Sequence, residues 1–206
     1  GYITEGQLFL RKDTEIGKIP KAWEMVRYTD VADYINGYPF KPSDWQKKGF
    51  PIIRIQNLTG EKDFNYYNGQ TEDWFCVKKG DLLFSWSATI DLFIWDGSDA
   101  VLNQHIFKVV PKQNIDKVFL YYAMKQYLAN IVRKIHGSTM KHFKKEQLTK
   151  NYLPLPPIKE QEKIAEILST VDRKLELEKR RKEKLERIKK GLMEELLTGK
   201  KRVKVG

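Results

Sequence analysis

The last forty or so residues constrain this chain more than anything else in it. From Ile158 to Thr198 nearly every residue is a helix former, with Pro156-Pro157 just before the run and Gly199 just after it. Those are the places where proline is tolerated and glycine favoured at helix ends. At ~1.5 Å per residue such a helix is about 60 Å long, too long for the preceding ~150 residues to cover as one globule. Steps of four and three from Ile164 reach positions 164, 168, 171, 175, 178, 182, 185, 189, 192 and 196. Seven of those ten are apolar: Ile164, Leu168, Val171, Leu175, Leu185, Leu192 and Leu196. Glu178, Lys182 and Lys189 interrupt the stripe, the last beside Ile188. This is a coiled-coil seam, and a seam needs a second helix. No other stretch promises one of that length, so the expected partner is another copy of the chain. The dimer interface is then Ile164, Leu168, Val171, Leu175, Leu185, Ile188, Leu192 and Leu196. The polar break near the middle suits an antiparallel pair, with Glu178 of one copy near Lys182 of the other. The plainer alternative is a helix lying on its own domain.

Charge locates a second feature. The formal net charge is +11, which suggests a polyanion partner, most often nucleic acid. Residues 1–158 hold 22 basic and 17 acidic side chains, and residues 159–206 hold 16 and 10. In the first part the excess is local: Arg133, Lys134, Lys141, Lys144, Lys145 and Lys150 face only Glu146 between 133 and 150. A binding face is expected there. In the tail, Lys179-Arg180-Arg181-Lys182 point all around a helix. Glu176, Glu178, Glu183 and Glu186 lie at pairing distance along it, so intrahelical ion pairs account for most of that charge.

The chain changes character near Leu153–Pro157, which divides it into residues 1–156 and 157–206. Residues 1–22 read as loop or short helix. Trp23–Val26 suggests a short strand and Asp30–Tyr34 a helical turn. Pro51–Leu58 alternates apolar and polar residues and predicts a half-buried strand. Asp81–Trp86 and His105–Val110 are also strand-like. Val118–His136 carries apolar residues at helical spacing and stops at Gly137. Gln147–Leu155 returns to extended chain. The fold class is thus α/β (α+β), a globular domain followed by a long helix.

Several function classes recede. One cysteine, Cys76, rules out a disulfide framework and a multi-cysteine zinc cluster. No apolar run reaches the ~20 residues of a membrane span, and Gly1–Arg11 does not read as a secretion signal. A cytoplasmic chain is expected. Histidines 105, 136 and 142 offer no metal spacing. There is no Gly-rich phosphate loop and no His-Glu-x-x-His. No Asn/Asp-Pro-Pro-Tyr/Phe methyltransferase motif occurs either, because the prolines at 154, 156 and 157 lack the preceding acid or amide. Neither catalysis nor a cofactor is expected.

At this point the motifs resemble those of a family. Leu153–Leu168 (LPLPPIKEQEKIAEIL) is similar to the start of the conserved helical region in specificity subunits of type I restriction–modification systems. In order along the chain, Thr14–Trp23 (TEIGKIPKAW) resembles the entry to a target recognition domain and Ile52–Leu58 (IIRIQNL) a conserved strand. Asn103-Gln104-His105 and Gly137-Ser138-Thr139 resemble two loop motifs, and Leu196–Val203 a typical end. Two departures stand out. Ser85–Phe93 reads SWSATIDLF, with Ala88 and Asp91 where the family often has glycines. The chain also carries one recognition domain and one helical region where full-length members carry two. The resemblance implies a half-length subunit whose two copies restore the two-domain arrangement, with the helices as a ruler between two DNA half-sites roughly one to one and a half duplex turns apart at ~3.4 Å per base pair. It also implies that methylation and cleavage come from partner modification and restriction subunits. Two other readings remain open: a stand-alone nucleic-acid-modifying enzyme, and an RNA-binding adaptor.

Base readout in a major groove calls for Arg, Lys, Asn or Gln side chains that donate and accept in pairs. The expected DNA-binding residues on loops are Arg54, Gln56, Asn57, Ser85, Ser87, Asn103, Gln104 and His105. Tyr38, Trp45 and Trp86 could pack on sugars or bases. Asn57 could equally cap a turn, and Trp86 could be core. Gly137, Ser138, Thr139, Lys141 and His142 follow a helix end and suit a phosphate clamp, which fixes register but not sequence. Arg133, Lys134, Lys144 and Lys145 would extend it.

Overall fold

The computed structural model describes residues 10–69, 73–136, 146–204 and 206. The chain divides into a unit of residues 1–165 and a second of residues 166–206. In order, the elements are β1 (Arg11–Thr14), β2 (Gly17–Pro20), β3 (Glu24–Arg27), α1 (Tyr28–Val31), β4 (Ala32–Asn36), β5 (Phe50–Ile53), α2 (Ile55–Leu58), β6 (Tyr66–Tyr67), β7 (Cys76–Val77), β8 (Leu82–Ser85), β9 (Asp91–Ile94), β10 (Ala100–Leu102), β11 (Ile106–Pro111), α3 (Lys117–His136), α4 (Glu146–Lys150), β12 (Tyr152–Leu155) and α5 (Ile158–Leu197).

Two four-stranded sheets make the first unit. One runs β4-β11-β8-β9 and is antiparallel throughout. The other runs β6-β5-β10-β7, with β5 and β10 parallel. Strand β8 is buried on both faces, so it carries a continuous apolar run rather than an alternation. Leu82 and Phe84 face a core with Leu92, Phe107 and Val109 from the same sheet and Leu120, Met124 and Leu128 from α3. Leu83 points the other way, into a core with Ile53, Val77, Leu102 and Ile106 that joins the two sheets. The spacing of four in Leu120, Met124 and Leu128 puts all three on one face of α3. Phe119 and Ala123, one position earlier in each turn, pack instead on Ala165 and Ile164 in the first turns of α5. Asp116 caps α3, its Oδ1 accepting from the Phe119 N–H at 2.7 Å.

Several sequence expectations are corrected. Residues 10–22 form the β1-β2 hairpin, not loop or helix: Thr14 Oγ1 donates to the Gly17 carbonyl at 2.6 Å across a turn in which Gly17 has φ +109°. The strand expected over Pro51–Leu58 stops at Ile53. Asn57 Oδ1 accepts the Arg54 N–H at 3.0 Å and turns the chain into α2. The helical turn near Asp30 sits earlier, at Tyr28–Val31, where Asp30 Oδ2 accepts the Arg27 N–H at 2.9 Å. Glu146–Lys150 is helical before the chain becomes β12 and pairs with β3.

Helix α5 spans 40 residues. It ends as the sequence predicts: Gly199 takes φ +74°, its N–H donates to the Leu196 carbonyl at 3.3 Å, and the Lys201 N–H reaches back to the Glu195 carbonyl at 3.0 Å, a left-handed glycine stop that satisfies two of the last carbonyls. In the second unit Leu168, Val171, Leu175, Leu185, Ile188, Leu192 and Leu196 are all exposed. Ile164 is not part of that exposed row. It is partly buried against Phe119, Ala123 and Ala165 of the first unit. Arg180 pairs with Glu176 at 2.8 Å, and Lys182 with Glu186 at 3.9 Å, as the charge pattern predicts.

Candidate nucleic-acid interface

The parallel pairing of β5 with β10 brings together residues almost fifty positions apart. Val101 aligns with Ile52 and Leu102 with Ile53, so the next residues, Arg54 and Asn103, leave the sheet side by side. The Asn103 N–H donates to the Ile53 carbonyl at 3.1 Å. On the other side Tyr38 forms a parallel bridge with Asn103, and its N–H donates to Leu102 at 2.7 Å. This close approach explains Gly37: a Cβ there would overlap the carbonyl oxygens of Leu102 and Asn103.

Asn103 then starts a tight turn, closed by the Ile106 N–H on the Asn103 carbonyl at 3.2 Å. Within it Gln104 Nε2 and His105 Nε2 are 3.5 Å apart. The Trp86 N–H donates to the His105 carbonyl at 3.3 Å, and the two rings meet at 5.2 Å. The turn 103–105 is therefore the centre of one rim. Arg54, Trp45 and Tyr38 flank one side of it, and Trp86 flanks the other.

The aromatic members are half open. Tyr38 and Trp45 are each 38% exposed. The Arg54 guanidinium lies over the Trp45 ring at 4.5 Å, a cation–π contact that holds its plane in one orientation. Tyr38 packs on Phe40, Trp74 and Phe75. Trp74, exposed to a similar degree, is a member of this patch that the sequence reading missed. Its only signal was the Trp-Phe pair at 74–75, with no pattern to mark it.

Two candidates leave the set on geometry. Ser85 is fully buried, and its Oγ donates to the Ser87 carbonyl at 3.3 Å. As the last residue of β8 it faces inward, whereas Ser87 lies in the turn beyond. Asn57 uses its amide within the fold: beyond capping Arg54, its Nδ2 donates to the Asp63 carbonyl at 2.9 Å. Gln56, next to it, is exposed. Trp86 is half-buried and also packs on the core ring Phe107 at 6.0 Å, so it supports the rim more than it presents a face. The loop after β8 places Ala88 at φ +56°, a left-handed conformation usually taken by glycine.

Arg133 and Lys134 lie in the last turn of α3. Gly137, Ser138, Thr139, Lys141, His142, Lys144 and Lys145 lie outside the described residues. Among the described residues no three His, Cys, Asp or Glu side chains gather as metal ligands, and no helix is long and apolar enough to cross a membrane.

Comparison with known proteins bears on what this rim is for. The family described as type I restriction modification DNA specificity domain matches residues 20–187. The EcoBI specificity subunit of Escherichia coli, a type I restriction enzyme subunit, is 32% identical over 182 residues, 87% of this chain and 38% of that protein. The MjaVIII specificity subunit of Methanocaldococcus jannaschii is 32% identical over 212 residues, covering 94% of this chain and 49% of the relative. The chain thus spans half or less of the length of these relatives. The fold is shared with the solved HsdS subunit from Thermoanaerobacter tengcongensis, at TM-score 0.62 and 20% identity over 88% of this chain and 46% of that one. The S subunit from M. genitalium superposes at TM-score 0.59 and 15% identity, over 84% and 45%.

Proposed function

The chain belongs to the type I restriction–modification DNA specificity family, and from that premise we propose that it reads one half of a two-part DNA site as a non-catalytic specificity subunit. The supporting observation is the rim itself. Asn103, Gln104 and His105 occupy one tight turn, with Arg54 fixed on Trp45 beside it. Amide and guanidinium groups of this kind pair with base edges in a major groove. Tyr38, Trp45 and Trp74 supply flat faces for sugars or bases. The basic segment 133–145 holds phosphates and sets register. Residues 1–156 act as the recognition domain and residues 157–206 as the dimerisation and spacer region.

The exposed apolar row on α5 is covered by a second copy, antiparallel. The seam positions are symmetric about residue 180. Leu175 then meets Leu185 of the partner subunit, Leu168 meets Leu192 of the partner subunit, and Glu178 meets Lys182 of the partner subunit. The resulting two-fold symmetry is mirrored by a spaced palindrome in the DNA. Modification subunits dock on the dimer and supply methylation, and restriction subunits supply cleavage. The protein works in the cytoplasm.

Light scattering on the purified chain tests the assembly. A mass near twice 24.3 kDa is expected, and a concentration-independent monomer overturns the homodimer. Selection from a random duplex library tests the recognition. Enrichment of a palindrome split by a fixed gap supports it. Enrichment of no sequence, or a random single-stranded RNA pool that competes better than the duplex library, overturns it.

A further inference from the structure

A buried polar side chain at the start of α5 stands apart from the recognition rim and from the helical seam. Gln161 is 1% exposed. Its Oε1 accepts the Asp116 N–H at 3.0 Å. Its Nε2 donates to the Pro156 carbonyl at 2.9 Å and to the Asn114 carbonyl at 3.4 Å. One amide thus ties three backbone groups together: the cap residue of α3, the loop before it and the linker before α5. Asn114 takes φ +63° to bring its carbonyl there. A buried amide with its donors and acceptor matched is directional in a way that apolar packing is not.

Two further contacts hold the same two turns. Glu160 Oε2 accepts the Trp23 Nε1–H at 3.1 Å. Ala165, one turn on, packs with Ile164 on Phe119 and Ala123 of α3. The first two turns of α5 are therefore fixed in rotation as well as in position, and Gln161 is the buried polar member of that clasp.

We propose that Gln161 is a positioning residue that fixes how α5 leaves the recognition domain, and so sets the gap between half-sites that the dimer accepts. The inference rests on the reading of the chain as a dimeric specificity subunit. Lengthening the gap by one base pair moves a half-site ~3.4 Å along the duplex and turns it by about 35°, one step of a 10–10.5 base-pair turn. A rigidly fixed helix rejects that change, and a loosened one tolerates it.

The experiment compares full-length wild type with Gln161→Met, which keeps the side chain's length and removes its three hydrogen bonds. Each is titrated against duplexes carrying the selected palindrome with its best gap and with gaps one base pair shorter and longer, and against a single half-site. Wild type is expected to prefer its best gap by about tenfold or more, the scale of one mismatched base pair. Gln161→Met is expected to narrow that preference to about threefold or less, with half-site affinity unchanged. Leu148→Ala, a core change in α4 that touches none of the Gln161 hydrogen bonds, controls for lost stability and should keep the sharp preference. If Gln161→Met does not fold, Trp23→Phe, which removes only the bond to Glu160, should broaden the preference by a smaller factor. An equally sharp preference in a folded variant overturns the proposal. Absence of any gapped palindrome in wild type overturns instead the dimer reading beneath it.

Discussion

The orientation of the α5 pair can be tested with charges placed at two positions. Leu175 is 62% exposed and Leu185 56% exposed in the single chain, so each has more than half of its surface left to cover. Fully burying a leucine is worth ~1.5–3 kcal/mol, so the uncovered part of each contributes about 1–1.5 kcal/mol on pairing. A two-fold dimer uses four such side chains, so losing them removes about 4–6 kcal/mol, a weakening of ~10³–10⁴ in Kd. Glu and Lys are helix formers close to Leu, so the helix itself survives and circular dichroism should not change. Leu175→Glu with Leu185→Glu puts two carboxylates opposite each other at both symmetric contacts and should give monomers. Leu175→Glu with Leu185→Lys loses the same apolar surface. In an antiparallel pair, though, each Glu faces a Lys of the partner, and in a parallel pair each charge faces its own kind. Sedimentation equilibrium should therefore rank wild type tightest, the Glu/Lys chain next and the Glu/Glu chain weakest. The gap between the last two should shrink in 1 M salt, where screening acts over ~3 Å. A Glu/Glu chain that dimerises like wild type refutes the seam. A Glu/Lys chain no tighter than the Glu/Glu chain refutes the antiparallel register.

Ala88 at φ +56° gives a second test. The left-handed region costs a non-glycine residue about 1–2 kcal/mol, and glycine gives back roughly half of that gain through its freer unfolded chain. Ala88→Gly should raise stability by about 0.5–1 kcal/mol in chemical denaturation, and a loss would show that the turn does not need that conformation. Tyr28 has a buried hydroxyl without a hydrogen-bond partner among the described residues, so Tyr28→Phe should stabilise at neutral pH by about 1 kcal/mol. Burial also pushes the Tyr28 and Tyr34 hydroxyls well above the ordinary tyrosine range. The unfolded chain releases those protons near pH 10 while the folded chain keeps them, so stability should be level below that pH and fall above it. Tyr28→Phe should flatten part of the fall, and an unchanged slope between pH 10 and 11 would count against the buried hydroxyl. Lys141→Ala should weaken binding to all duplexes alike and lower the salt slope by about one; a loss confined to one sequence would make Lys141 a base reader.

Local signals in this sequence were strong where local physics decides. The α3 and α5 helices, the Gly199 stop and the ion-paired run at 176–186 follow from spacing, propensity and capping. The rim was legible in its residue types and not in its assembly. Arg54 and Asn103 become neighbours only because β5 and β10 pair in parallel, and nothing within either segment announces a partner so distant in sequence. Ser85 and Ser87 are equivalent in type. Strand parity and the end of β8 separate them, and the end of a four-residue strand shifts easily by two positions. Asn57 was open between reading a base and capping a turn. The cap prevails because the strand must stop at Ile53 for α2 to begin, and the freed Arg54 N–H needs an acceptor there.

The turn after β8 shows what a departure from a motif means physically. The family often has glycines in this loop, and this chain has Ala88 and Asp91 instead. The backbone nonetheless enters the left-handed region at Ala88. At Asp91 the carboxylate meets Lys125 of α3 at 3.4 Å, a tie that a glycine could not make. The chain therefore carries some strain at Ala88 and gains a side-chain contact at Asp91. That contact joins the start of β9, just past the loop carrying Trp86 and Ser87, to α3. Because Trp86 directly follows β8, and its N–H is bonded to the His105 carbonyl, a change in this turn reaches the central turn of the rim through one residue. In this chain the loop is thus tied to the residues at 103–105 by a backbone bond rather than through the core beneath them.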